Sequence, residues 1–123
     1  MLHTMTAANT PAHNGVAERH LRTIFTLART MLLHAGLSTS FWEEVVVYAN
    51  CISNCISTSA LEGEGNISPY EVLFRKTPNI SQFRVFRCHA QVLIKDTHLT
   101  KFQSCTREVI YLGPSQDSTR HRL

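Results

Sequence analysis

The stretch Asn14-Gly15-Val16-Ala17-Glu18-Arg19-His20-Leu21-Arg22-Thr23-Ile24-Phe25-Thr26-Leu27-Ala28-Arg29-Thr30-Met31-Leu32-Leu33-His34-Ala35-Gly36 decides how the rest of this 123-residue chain is read. From Val16 onward, Ala17, Leu21, Ile24, Ala28, Met31 and Ala35 recur at steps of three and four, with Phe25 and Leu32 widening the stripe. That period belongs to one amphipathic helix. Asn14 and Gly15 mark its start, and Gly36 suits a left-handed C-terminal cap, with Leu37 placed for the apolar contact that follows such a cap.

Outward from this helix, Ser40-Phe41-Trp42-Glu43 fits a capping box and predicts a second helix, because the serine hydroxyl accepts from the Glu43 backbone while the carboxylate reaches back. Its expected buried stripe is Trp42, Val45, Ala49, Ile52 and Ile56. Spacing outweighs the low helix preference of Val45, Val46 and Val47. Residues 57–66, with Gly63 and Gly65, read as a loop. Ser68-Pro69-Tyr70-Glu71 repeats the capping pattern with proline at the first helical position, opening a short helix to about Phe74 that Lys76-Thr77-Pro78-Asn79 ends. Beyond Pro78 the text changes character. Arg84 to Ile94 and Arg107 to Leu112 are rich in β-branched and aromatic residues without helical spacing, so they read as strands, and Gly113-Pro114 reads as a turn. The class expected is α+β, dividing near residue 78 into a helical part, 1–78, and a basic β part, 79–123.

Charge follows the same division. Residues 1–40 hold three Arg and one Glu, residues 41–74 five Glu and no Lys or Arg, and residues 75–123 nine Lys or Arg against three acids, a local charge of +6. A basic module beside an acidic helix suits contact with nucleic acid, and equally an ordinary solvated surface. No window holds the roughly 18 consecutive apolar residues of a membrane span, and Met1 to Thr10 has neither the basic nor the apolar region of a secretory signal. A soluble intracellular protein is the expectation. Cys51, Cys55, Cys88 and Cys105 are scattered without Cys-x-x-Cys spacing, although Cys51 and Cys55 share a helix face, so free buried thiols are expected and no zinc site.

The sequence also resembles a known family. Thr10-Pro11-Ala12-His13-Asn14-Gly15-Val16-Ala17-Glu18-Arg19 is followed by Ala28-Arg29-Thr30-Met31-Leu32, Ala35-Gly36-Leu37, Phe41-Trp42-Glu43-Glu44 and Ser68-Pro69-Tyr70-Glu71. Lys76-Thr77-Pro78-Asn79, Arg84-Val85-Phe86 with Cys88, and Tyr111-Leu112-Gly113 complete the order. These segments, in this order and spacing, resemble the integrases of copia-type (Ty1-copia) LTR retrotransposons, which are encoded within a Gag-Pol polyprotein. The resemblance implies the helical C-terminal part of a truncated RNase H-like catalytic core, followed by an incomplete small SH3-like β-barrel. Departures are Asn9, Ala12 and His13 before the helix and Arg87, which stands where the family usually has glycine.

The family is a DDE-type polynucleotidyl transferase whose three acids bind Mg²⁺ or Mn²⁺ and cut and join DNA, and the resemblance assigns the third acid, catalytic and metal-ligating, to Glu18. Two metals about 3.5–4 Å apart serve an in-line displacement in such sites. Read alone, Glu18 is an exposed carboxylate pairing with Arg22 one turn on. Only 17 residues precede Glu18, none of them Asp or Glu, and the first Asp is Asp96. One carboxylate does not organise two ions, so the expectation is a fragment that is inactive alone and binds no metal stably. Implied DNA contacts are Asn14, Gly15, Arg19, Arg22, Lys95, Lys101 and Arg107, with Arg120 and Arg122 as further cations in the basic part. DNA is the implied partner and the nucleus the implied place of action, with a homo-oligomer or the missing upstream integrase segment as further partners. The alternative is a non-enzymatic DNA- or protein-binding module. Phe41, Trp42, Phe74, Phe83 and Phe86 read as core aromatics.

A fragment of this kind carries an energetic expectation. Leaving four of Leu21, Ile24, Phe25, Ala28, Met31 and Leu32 without the family's central sheet forfeits roughly 4–10 kcal/mol, against a typical domain stability of about 5–15 kcal/mol.

Overall fold

The structure, a computed structural model, describes residues 14–58, 67–95, 100, 102–115 and 120–123. The chain is α+β: among the described residues three α-helices come first, then two small antiparallel sheets. Helix α1 spans Gly15–Ala35 and ends as its sequence predicts, with Gly36 left-handed at φ 59° and its N–H donating to the Leu33 carbonyl. Glycine meets no Cβ penalty there.

Helix α2 spans Trp42–Cys55, but Ser40 does not cap it. A 3-10 turn over Thr39–Phe41 precedes the helix, and Ser38 takes the capping role by accepting from the Ser40 N–H. The turn moves the helix start by one residue, so Phe41 becomes the N-terminal flanking residue without a side-chain cap. Its buried face is correspondingly different. Val45, Tyr48 and Ala49 are buried, Ile52 packs at the edge of the core, and Trp42 and Ile56 are 59% and 57% exposed. Tyr48 therefore fills the central place that the sequence pattern offered to Trp42. Helix α3 spans Pro69–Phe74 and carries a complete capping box: Glu71 N–H donates to the Ser68 hydroxyl, and Ser68 N–H donates to the Glu71 carboxylate at 2.9 Å. Arg75, left-handed at φ 53°, closes it, and Phe74 stays exposed.

Strand β1, His89–Leu93, pairs antiparallel with β2, Thr106–Ile110, in the register His89 to Ile110 and Leu93 to Thr106. The first strand starts later than the residue types suggest. Val85 to Cys88 forms a turn closed by Cys88 N–H on the Val85 carbonyl, with Arg87 left-handed at φ 66°. Gly113-Pro114 is not a turn either. It forms the two-residue strand β3, paired with β4, His121–Arg122. Proline is tolerated because the pair is all edge and needs no N–H at that position.

The core lies where α1 crosses α2 and is closed by the β part. Ile24, Ala28 and Ala35 of α1 pack on Val45, Tyr48 and Ala49, with Phe86 and Tyr111 completing the cluster. Residues on both sides of position 78 thus share one core. Tyr48 anchors it: its ring stacks on Phe86 at a centroid distance of 5.7 Å, meets Tyr111 edge-on at 5.9 Å, and its hydroxyl donates to the Arg84 carbonyl at 2.6 Å. Burial pushes the Tyr48 and Tyr111 hydroxyls above their ordinary values, keeping both as neutral donors.

On α1 the apolar stripe is covered only in part. Ile24 and Ala28 are buried and Met31 and Leu32 are packed at the core edge, whereas Val16, Leu21 and Phe25 are 79%, 51% and 52% exposed. The 14-residue α2 is shorter than the 21-residue α1, so the N-terminal half of α1 extends beyond its cover. Among the described residues no helix is long and apolar enough to cross a membrane.

Candidate nucleic-acid interface

Glu18 lies in the first turn of α1, where an acid complements the partial positive charge of the helix start. It is exposed. At the helical repeat of 3.6 residues, Glu18, Arg22 and Arg29 share one exposed strip of α1 about a third of a turn from Ile24, Ala28 and Ala35, and Arg19 stands nearly opposite those buried residues. Among the described residues no ion pair joins Glu18 to Arg22; the recorded pair is Arg122 with Glu44. Asn14 flanks the helix without a side-chain cap, and Gly15 has open space around its Cα. The same helix carries a row of threonines turned onto their own backbone, with the Thr23, Thr26 and Thr30 hydroxyls donating to the carbonyls four residues earlier. The outward face therefore presents three guanidinium groups and one carboxylate. Arg29 is the member that the sequence reading left out, although its place seven residues after Arg22 was visible.

A second group lies on the two-stranded ribbon. Lys95 is exposed just beyond β1, and Arg107 is exposed on β2 opposite Val92. Lys101 lies outside the described residues. The next residue, Phe102, is fully exposed. Arg120 is exposed, whereas Arg122 is half-buried: it pairs with Glu44 at 2.6 Å and donates to the Leu112 carbonyl at 3.3 Å. Arg122 thereby ties β4 to α2. The two basic groups sit on separate elements, since α1 packs chiefly on α2 and the ribbon chiefly on itself.

The donor set decides what α1 can hold. Mg²⁺ wants near-octahedral oxygen coordination, and among the described residues no group of three or more His, Cys, Asp and Glu side chains is placed to hold a metal. Glu18 alone does not fit such a site, and no metal-dependent step is derived for it. The cysteines are free, as expected, but not buried as expected: Cys51, Cys55 and Cys88 are half-buried and Cys105 is exposed. Cys51 and Cys55, on one face of α2, line an open groove.

The described surface thus carries an exposed basic strip on α1 and, apart from it, exposed basic residues on the ribbon. Comparison with known proteins supplies the family. The chain is 31% identical over 113 residues to the retrovirus-related Pol polyprotein from transposon RE1 of Arabidopsis thaliana, covering 92% of this chain and 8% of the relative. It is 35% identical over 121 residues to the corresponding polyprotein from transposon TNT 1-94 of Nicotiana tabacum, covering 98% of this chain and 9% of the relative. Against that from transposon RE2 of Arabidopsis thaliana the identity is 27% over 113 residues, with 92% and 8% covered. The chain is a homologue of the retrovirus-related Pol polyproteins of copia-type transposons, and it spans less than a tenth of the length of these curated relatives. No family model matches it, and no solved structure does.

Proposed function

We propose that this chain is the trailing part of a retrotransposon integrase. Residues 1–78 correspond to the helical end of an RNase H-like catalytic core, and residues 79–123 to the opening of a basic SH3-like module that meets DNA. The observation that carries the reading is the run Asn14-Gly15-Val16-Ala17-Glu18-Arg19 at the start of α1, with Glu18 exposed in the first turn, in a chain homologous to Pol polyproteins over nearly its whole length.

The chain's own residues then act in two ways. Arg19, Arg22 and Arg29 hold phosphates along α1, and Lys95 and Arg107 do so along the ribbon; such contacts position a duplex without reading its sequence. Glu18 alone holds no Mg²⁺ or Mn²⁺; it would supply one carboxylate to such a site only where an upstream integrase segment brought the remaining acids. That segment also covers Val16, Leu21 and Phe25; burying what is still exposed of these three side chains is worth roughly 3–5 kcal/mol. The nucleus is the place of action this reading entails.

Two measurements test it. With these five phosphate contacts, log K for a DNA duplex falls with log salt at a slope of about −4.5; a flat salt response overturns the DNA reading. In a strand-transfer assay on a labelled DNA end with Mg²⁺ or Mn²⁺, the chain and its Glu18→Gln variant both give no product. Product from the unmodified chain that Glu18→Gln abolishes would show that this chain completes a metal site by itself.

A further inference from the structure

Among the described residues Phe102 is the most exposed large apolar side chain, with its whole ring in solvent. It stands at the free end of the β1–β2 ribbon. The ladder runs one step past the strands, to the Ile94 N–H donating to the Cys105 carbonyl at 2.7 Å. Beyond it, Thr100 and Gln103 are tied to each other twice: the Gln103 N–H donates to the Thr100 carbonyl at 3.0 Å, and the Thr100 N–H donates to the Gln103 side-chain oxygen at 2.9 Å. Phe102 is the third residue of this four-residue turn, so backbone closure fixes the ring at the tip.

Cations flank the same end of the ribbon on both faces. Lys95 continues the exposed face of β1, that of His89, Gln91 and Leu93, whereas Arg107 is the cross-strand partner of Val92 and belongs to the other face. Both are exposed. Glu108 sits one step further from the tip and on the face opposite Arg107. In sequence, residues 95–107 carry Lys95, Lys101 and Arg107 against Asp96. A ribbon entering a groove of a duplex therefore meets the phosphates on either side with a cation and the bases with a phenyl ring.

We propose that Phe102 is a wedge that enters the base stack of a DNA duplex, while Lys95 and Arg107 hold the flanking phosphates. The proposal rests on the DNA reading above and adds a residue that acts on the bases. Two-stranded ribbons dock in DNA grooves, and apolar side chains such as phenylalanine pry apart base steps and kink the duplex. An apolar pocket on a protein would also take the ring, but cations on both faces of the ribbon make a polyanion the complementary partner. A neutral ring adds nothing to the salt dependence. Its gain depends on how hard the bases are to separate, and that cost is smallest at a mismatch.

The test uses the full chain and two short labelled duplexes, one fully paired and one with a single central mismatch flanked by 2-aminopurine. The mismatched duplex is bound about fivefold more tightly, and the 2-aminopurine brightens as its stack opens. Phe102→Ala weakens binding to the mismatched duplex by about tenfold, abolishes the preference and the brightening, and leaves the salt slope at about −4.5. Phe102→Leu keeps the preference, because leucine is also a wedge. Lys95→Ala/Arg107→Ala instead lowers the slope by about 2 and keeps the preference. Equal affinity of the unmodified chain for the two duplexes, or a preference that survives Phe102→Ala, overturns the wedge and leaves the DNA reading in place if the salt slope holds. Absence of salt-dependent binding overturns both. A thermal midpoint that falls by about 4 °C or more in Phe102→Ala shows that the ring packs within the protein, and also overturns the wedge.

Discussion

Arg87 stands at φ 66° in the turn before β1, and its guanidinium crosses to the end of α1, where it donates to the Ala35 carbonyl at 2.6 Å. Two effects of opposite sign meet in this one residue. A non-glycine side chain in the left-handed region costs roughly 1–2 kcal/mol. A charged donor on a helix C-terminal carbonyl returns about 1–2 kcal/mol, the lower part of the usual range because the side chain is exposed. Arg87→Ala removes the donor and keeps the backbone cost, so it destabilises by about 1–2 kcal/mol. Arg87→Gly removes both and leaves the chain within about 1 kcal/mol of its original stability, hence about 1 kcal/mol above the alanine variant. Denaturant unfolding followed by helical circular dichroism reads the three stabilities, and a thermal midpoint separates the two variants by about 4 °C. Equal stability of the alanine and glycine variants would show that the backbone cost at this turn is absent. Equal stability of the alanine variant and the unmodified chain would show that the clamp contributes nothing.

Three further perturbations test other joints of the structure. Gly113→Ala places a Cβ 2.9 Å from Tyr48 Cδ2 at a φ of +129°, so it destabilises by about 2 kcal/mol or more, and near-ultraviolet circular dichroism loses intensity as the Tyr48 cluster loosens. Arg75→Gly relieves the left-handed residue that ends α3 and raises the denaturant midpoint by an equivalent of about 0.5–1 kcal/mol. Ser68→Ala removes a buried cap and lowers stability by about 0.5–2 kcal/mol. Hydrogen bonds from Ser68 hold the Glu71 carboxyl below the ordinary carboxylate range. A depressed folded value means that its contribution is present above the unfolded carboxylate pKa and is lost as pH falls through the folded one. The difference between Ser68→Ala and the unmodified chain therefore shrinks on acidification below pH 4.5.

Much of the molecule was written in local sequence. The stripe from Ile24 to Ala35, the left-handed Gly36 and the Ser68-Pro69-Tyr70-Glu71 cap are settled by periodicity and by hydrogen bonds within one turn, and each stands as its residues foretell. The family resemblance was equally legible, because it rests on the order of short motifs.

Other features depend on partners far away along the chain. Ser40 looks like a cap, yet Ser38 serves, because a 3-10 turn over Thr39–Phe41 joins α1 to α2 and puts Ser40 inside it. Trp42 and Tyr48 both suit the buried side of a helix, and only the approach of Phe86 and Tyr111 chose Tyr48. Arg87 carries no local signal for a left-handed turn, since the carbonyl that holds its guanidinium belongs to a helix 52 residues earlier. Arg122 looked like one more surface cation, and its ion pair with Glu44 became visible only once β4 lay against α2. Local hydrogen bonding and side-chain period are properties of neighbouring residues, so sequence determines them. Which apolar face is covered, and which charge finds a partner, is decided by competition among distant surfaces, and only the tertiary structure resolves it.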